Sequence, residues 1–313
     1  MHVYRWDLDK TYLLTDFDSL SGLVRSATEP ASAKRAVPGA TALMRGLSAN
    51  PQARIYIVSG SPTQMRPVLE EKLRMDGVRW DHLTLKDNLA NLKRGRIRAI
   101  RGQLGYKLPV LLETRAGLGR AVQETCFGDD AEVDAIAYCL YADAVAGRVE
   151  PRQLSRVLEA AGAYPDQIQR CLAALVKVAT AEAVERVFIR LERRLPPQRF
   201  AALGSRVVPV HSWWQAALVL FEAGHLSLSD VLGVLEAVFA EVGRDPFALA
   251  GLTQDIVRRG HVRADVLDRL PADLPALAWC RQALTELGPR LPSAEGGQPV
   301  DYLGLLQSFS RIE

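Results

Sequence analysis

The sequence has no run of 18 apolar residues and no basic start leading into a long apolar stretch. Neither a membrane span nor a secretory leader is therefore expected, and the default location is the cytoplasm. Its four cysteines, Cys126, Cys139, Cys171 and Cys280, form no CxxC pair, so neither a thiolate zinc site nor a disulfide framework is expected. The five histidines, His2, His82, His211, His225 and His261, show no HxxxH spacing and no partner cysteine, so a histidine metal site is not expected. A GxxxxGK[S/T] phosphate loop is absent, and so is the GxSxG turn of a serine nucleophile. Charge of one sign is scarce as well, with a formal net of +3, and no nucleic-acid partner is expected.

What the 313 residues do contain is ordinary for a folded protein, 48 % hydrophobic and 24 % charged, at a length that suggests two domains. The first half alternates short apolar runs with helical patterns, the sequence form of an α/β domain with a largely parallel sheet. Strands are predicted at His2 to Leu8, Arg54 to Val58, His82 to Leu85 and Thr125 to Gly128. Helices are predicted at Gly39 to Leu47, Pro62 to Asp76, Lys107 to Ala121 and Glu132 to Ala146, with Lys10 to Lys34 looping out above the first strand.

After Val149 the reading changes to successive amphipathic helices, among them AEAVERVFIRLERRL at 181 to 195 and SWWQAALVLFEAG at 212 to 224. The expected organisation is thus an α/β domain over 1–149 and an all-α helical domain over 150–313. The segment PSAEGGQP, 292 to 299, reads as a linker before a last short helix at Asp301 to Phe309. Trp213 and Trp214 are expected in the core of a tail helix.

Four features follow one another in the first half. DLDKT, 7 to 11, stands behind the first strand; IYIVSGSP, 55 to 62, carries a strand to Ser59; YKLP surrounds Lys107; ETCFGDDAEVD, 124 to 134, carries a strand to Gly128 and then to acids. Three of the four lie at strand ends, where open α/β sheets bind their ligands. Residues two apart on a strand share a face, so Asp7 and Asp9 crowd one volume and need a cation, a proton or water. A carboxylate such as Asp7 can attack phosphorus, and Asp9 can carry the proton of the leaving oxygen. Further acids fit a hard cation such as Mg²⁺. Ser59 can hydrogen-bond a phosphoryl oxygen, and Lys107 can neutralise charge there.

This order resembles the haloacid dehalogenase-like phosphatases, with their DxDx[T/V], strand-end Ser or Thr, Lys, and DD or GDxxxxD motifs. The blocks PGATALMRGL, IYIVSGSPTQMRPVLEEKL, GYKL and GDDAEVD are most similar to the phosphatidate phosphatase group first known from an actin-patch-associated protein. The resemblance covers about residues 1 to 147. It implies a Rossmann-like parallel sheet, a Mg²⁺-dependent phosphomonoester hydrolase, and an aspartyl-phosphate on Asp7. Asp7, Asp9, Thr11, Ser59, Lys107 and Asp129 match the pattern; Asp7, Asp129 and the backbone carbonyl of Asp9 would hold the metal. For the last acid, the GDxxxxD spacing selects Asp134 and the DD form selects Asp130; the most similar group uses the former.

The sequence departs from that group in three places. Lys10 stands where an acid is usual, Tyr106 precedes Lys107 where His is common, and a fifth strand of the type RVxAIYIR is missing or very short after Val149. No large insertion separates the motifs, which implies an open site. The substrate would be phosphatidate, another anionic lipid, or a soluble phosphorylated metabolite or protein. The basic residues Lys93, Arg94, Arg96, Arg98 and Arg101 give some support to peripheral contact with an anionic membrane. A competing reading makes the helical tail a protein-interaction module that recruits a partner, attached to a regulatory or inactive α/β domain.

Overall fold

The computed structural model describes residues 1–15, 29–87, 102–131, 133–286 and 299–310. The basic stretch 93 to 101, most of the expected loop after the first strand, and nearly all of PSAEGGQP lie outside the described residues.

Among the described residues, six strands form one sheet: β1 (His2–Trp6), β2 (Ala53–Pro62), β3 (His82–Lys86), β4 (Gln123–Asp129), β5 (Val184–Arg190) and β6 (Val207–Val210). Their spatial order is β3-β2-β1-β4-β5-β6, and every neighbouring pair is parallel. The chain runs outward from β1 to β3, then returns past β1 to begin β4. The crevice beyond the carboxyl ends of β1 and β4 is therefore the topological switch point of the sheet.

Among the described residues the α-helices are α1 (Ala40–Ala49), α2 (Arg66–Met75), α3 (Leu104–Ala116), α4 (Asp134–Val145), α5 (Pro151–Ala160), α6 (Pro165–Leu175), α7 (Trp213–Glu222), α8 (Leu228–Glu241), α9 (Pro246–Arg258), α10 (Pro275–Thr285) and α11 (Tyr302–Ser310). They cover both faces. On one, Tyr4, Trp6, Ile57, Phe127, Phe188 and Val208 pack with residues of α1, α2 and α7 to α10. On the other, Val58, Cys126, Val187, Ile189 and Val207 pack with residues of α3 to α6 and with Tyr302 of α11. Burial on both faces is why the strands read as nearly unbroken apolar runs. All four cysteines are buried and free. Among the described residues, no helix is long and apolar enough to cross a membrane.

The expectation of an all-α region over 150–313 is corrected by β5 and β6. The segment read as the helix AEAVERVFIRLERRL is largely strand β5, which pairs with β4 from Glu124↔Val184 to Asp129↔Arg190. A three-residue apolar core, Val187, Phe188 and Ile189, fits a helix or a doubly buried strand equally well by periodicity. Helices on both sides of the sheet decide it: Phe188 enters one core cluster, and Val187 and Ile189 the other. A fifth strand, expected to be missing or very short after Val149, is thus present, placed later because α5 and α6 intervene after α4. A boundary at 149/150 passes through a continuous sheet.

Behind the sheet's central strands lies a polar network that the motifs did not announce. Arg5 Nε donates to Glu124 Oε2 at 2.7 Å, Arg115 Nη1 to Glu124 Oε1 at 3.0 Å, and the Tyr141 hydroxyl to Glu124 Oε2 at 2.6 Å. Arg5 Nη1 also donates to Thr114 Oγ1 at 2.7 Å. These bonds tie β1, β4, α3 and α4 together beneath the switch point. Burial pushes the Glu124 carboxyl up, but the Arg5 charge and hydrogen bond, with help from Tyr141 and Arg115, leave it below its ordinary value.

Candidate functional site

Strand β1 ends at Trp6, and the chain turns at once. Leu8 O accepts from Tyr12 N and Leu13 N, both at 2.8 Å, and Lys10 takes the left-handed conformation with φ 61°. That conformation is uncommon for a residue with a Cβ. Its backbone is held by hydrogen bonds: Lys10 N donates to Leu13 O at 2.9 Å and to Thr15 Oγ1 at 3.1 Å, and Arg190 Nη1, at the end of β5, donates to Lys10 O at 2.5 Å. The departure at Lys10 therefore belongs to a turn that points Asp7, Asp9 and Thr11 into the crevice.

Asp7, Asp129 and Asp134 meet there. One carboxylate oxygen from each lies within 4.8 Å of the others, and all three side chains are buried. Each comes from a different element: Asp7 from the end of β1, Asp129 from the last position of β4, Asp134 from the first position of α4. Lys107, in the second turn of α3, donates from Nζ to Asp7 Oδ1 at 2.9 Å and also to Asp134 Oδ1. Thr11 Oγ1 donates to Asp129 Oδ2 at 3.2 Å, and Ala131 N to Asp129 Oδ1 at 2.7 Å. Gly128 makes the arrangement possible: a Cβ there would lie 2.6 Å from both Cβ and Oδ2 of Asp134.

Asp9 faces β2. Its Oδ2 accepts from Ser59 Oγ at 2.9 Å and from Ser61 Oγ at 2.7 Å, while Ser59 Oγ accepts from Ser61 N at 2.9 Å. Ser59 thus contacts the second aspartate of DLDKT, and β2 continues past it to Pro62 with a register shift opposite β3. Ser61 was not singled out by the motifs, although its spacing from Ser59 in SGSP already places both on one face.

Asp130 stands apart from the cluster. Its Oδ1 accepts from Arg193 N at 2.8 Å and its Oδ2 from Leu195 N at 3.3 Å, so it holds the turn after β5. Burial raises its pKa, against the pull of those amides. Of the two alternatives for the last acid, only Asp134 joins Asp7 and Asp129. The sequence reading expects an open site, yet Asp7, Ser59, Lys107, Asp129 and Asp134 are all withdrawn from solvent. Besides Arg190, the second half of the chain contributes Trp213, whose Nε1 donates to Thr11 O at 3.2 Å and whose ring lies 5.5 Å from that of Trp6. Trp213 and Trp214 are fully buried, as expected of core residues.

The donor set fits a divalent cation. Three buried carboxylates against the Lys107 ammonium leave two negative charges, the charge of one Mg²⁺, and hard oxygen ligands from several elements suit that ion. Comparison of the chain with protein-family models, with curated proteins and with solved structures found no match.

Proposed function

We propose that the chain is a Mg²⁺-dependent phosphatase that hydrolyses a phosphomonoester through an aspartyl-phosphate on Asp7. The observation that carries this reading is the meeting of Asp7, Asp129, Asp134 and Lys107 at the switch point of a parallel sheet. It is supported by the motif order that resembles the haloacid dehalogenase-like phosphatases.

Asp7, Asp129 and Asp134 would hold the ion, with the Asp9 carbonyl as a further oxygen. When bound, it neutralises phosphate charge and orients the phosphoryl group. An Asp7 oxygen attacks phosphorus as the bond to the leaving alcohol breaks, and that alcohol takes a proton from Asp9. Water then attacks phosphorus and gives its proton to Asp9, and the bond to Asp7 breaks to release phosphate. Ser59 and Ser61 orient the Asp9 carboxyl for both transfers. Lys107 steadies Asp7 and opposes charge on the phosphoryl oxygens. Thr11 fixes Asp129 from the same turn.

A substrate with a good leaving group tests the division of labour. With p-nitrophenyl phosphate the departing oxygen needs little protonation, whereas breakdown of the aspartyl-phosphate still needs a base. Asp9→Asn should release one p-nitrophenolate per chain in a burst and then turn over at least about a hundredfold more slowly than the parent chain. Absence of turnover by the parent chain in Mg²⁺, or an Asp9→Asn variant as fast as the parent, would remove the proposal. Phosphatidate vesicles and soluble phosphomonoesters, assayed side by side, separate a lipid substrate from a metabolite.

A further inference from the structure

A second group of metal-ligating side chains gathers at the other end of the sheet. His2 opens β1, Glu185 is the second residue of β5, and His225 follows α7; one ligand atom from each lies within 4.8 Å of the others. The five residues of β1, at about 3.3 Å each, put this group about 16 Å from the carboxylate cluster. Local spacing gave no sign of it, because the two histidines are far apart in the chain and only β5 brings the carboxylate to them.

The arrangement around the rings is that of a supported metal site. His2 Nε2 shares a hydrogen bond of 2.9 Å with Thr125 Oγ1, and His225 Nδ1 shares one of 2.8 Å with the Tyr4 hydroxyl. Each imidazole therefore has one nitrogen anchored to a hydroxyl, the outer-shell contact that fixes a ligating histidine's tautomer and orientation. His225 turns its remaining nitrogen, Nε2, toward Glu185 Oε2 at 3.6 Å, and the two rings lie 4.7 Å apart, edge on. Glu185 is 40 % exposed and leaves one side of the group open to solvent.

We propose that His2, Glu185 and His225 form a second metal site that takes a borderline first-row divalent cation, with zinc as the best match. Two imidazoles and one carboxylate are a nitrogen-rich set that suits zinc and disfavours Mg²⁺, and three protein ligands leave a fourth position for water. The ion would tie the start of β1 to the start of β5 and to the turn after α7.

The test uses the full chain, stripped with chelator and titrated with Zn²⁺ in excess Mg²⁺, with bound zinc counted by elemental analysis after gel filtration. The expected result is one zinc per chain, retained in Asp129→Asn and bound at least about tenfold more weakly in Glu185→Gln and in His225→Gln. Glu185→Gln alters a half-exposed side chain, so unchanged circular dichroism will separate lost zinc from lost fold. The proposal is overturned if no zinc is retained, if both variants bind it like the parent, or if Asp129→Asn abolishes binding, which would assign the ion to the carboxylate cluster.

Discussion

Lys107 is the residue on which the site's charge turns, since it is buried and bonded to both Asp7 and Asp134. Replacing it with Met leaves buried carboxylates without their ammonium, a change of about 3–5 kcal/mol against the folded state. Urea unfolding of metal-free Lys107→Met should show that loss. Mg²⁺ should restore part of it, because the variant cluster is more negative, while phosphatase turnover stays at least about a hundredfold down. A midpoint unmoved by the substitution would mean that Lys107 is not the counter-charge. Gly128 acts by its absent side chain: Gly128→Ala puts a Cβ 2.6 Å from Asp134, and the carboxylate must move. The Mg²⁺ concentration for half-maximal turnover should rise by about 10–100-fold, as when a ligand's support is lost. An unchanged Mg²⁺ dependence would show that Asp134 is no ligand.

Strands β1 and β4 carry Asp7 and Asp129, and the Arg5–Glu124–Arg115 network ties the two strands to α3 and α4. Glu124→Gln should destabilise the chain by about 3–5 kcal/mol, since two buried guanidinium groups lose their carboxylate. Because Glu124 sits below its ordinary 4.5 in the folded state, the unfolded chain binds that proton more readily. Its contribution is fully present above the ordinary value and is lost as pH falls through it toward the folded value. Urea midpoints measured across the acid range should therefore fall for the parent chain and be flatter for Glu124→Gln. The motif-bearing elements β1 to β4 and α1 to α4 were legible in the sequence because each has a strong period or an end signal. The strand β5 was not: VFIR suits two periods, and only the helices packed on both of its faces select one. Ser61, Arg190 and Trp213 were missed as site neighbours for related reasons, since their contacts with Asp9, Lys10 and Thr11 exist only once β2, β5 and α7 are in place.

At the scale of the whole molecule, one sheet runs through both halves of the chain, and α7 to α10 cover the same face as α1 and α2. A fragment of residues 1–149 would expose the edge of β4 together with Phe127 and the apolar faces that β5 and β6 cover. It should be insoluble or unfolded by circular dichroism and proteolysis, whereas the full chain resists both; a stable, cooperative 1–149 fragment would contradict a shared core. Trp213 gives the same dependence a local form, because its indole holds Thr11 O beside the site. The chemistry proposed for Asp7 is read by one assay: phosphate release from p-nitrophenyl phosphate by the full chain and by Asp7→Asn, each with and without Mg²⁺. Turnover should depend on Mg²⁺ and fall by at least about a thousandfold in Asp7→Asn if Asp7 is the nucleophile. Turnover that survives either the substitution or the removal of Mg²⁺ would rule out an aspartyl-phosphate formed on Asp7 with Mg²⁺.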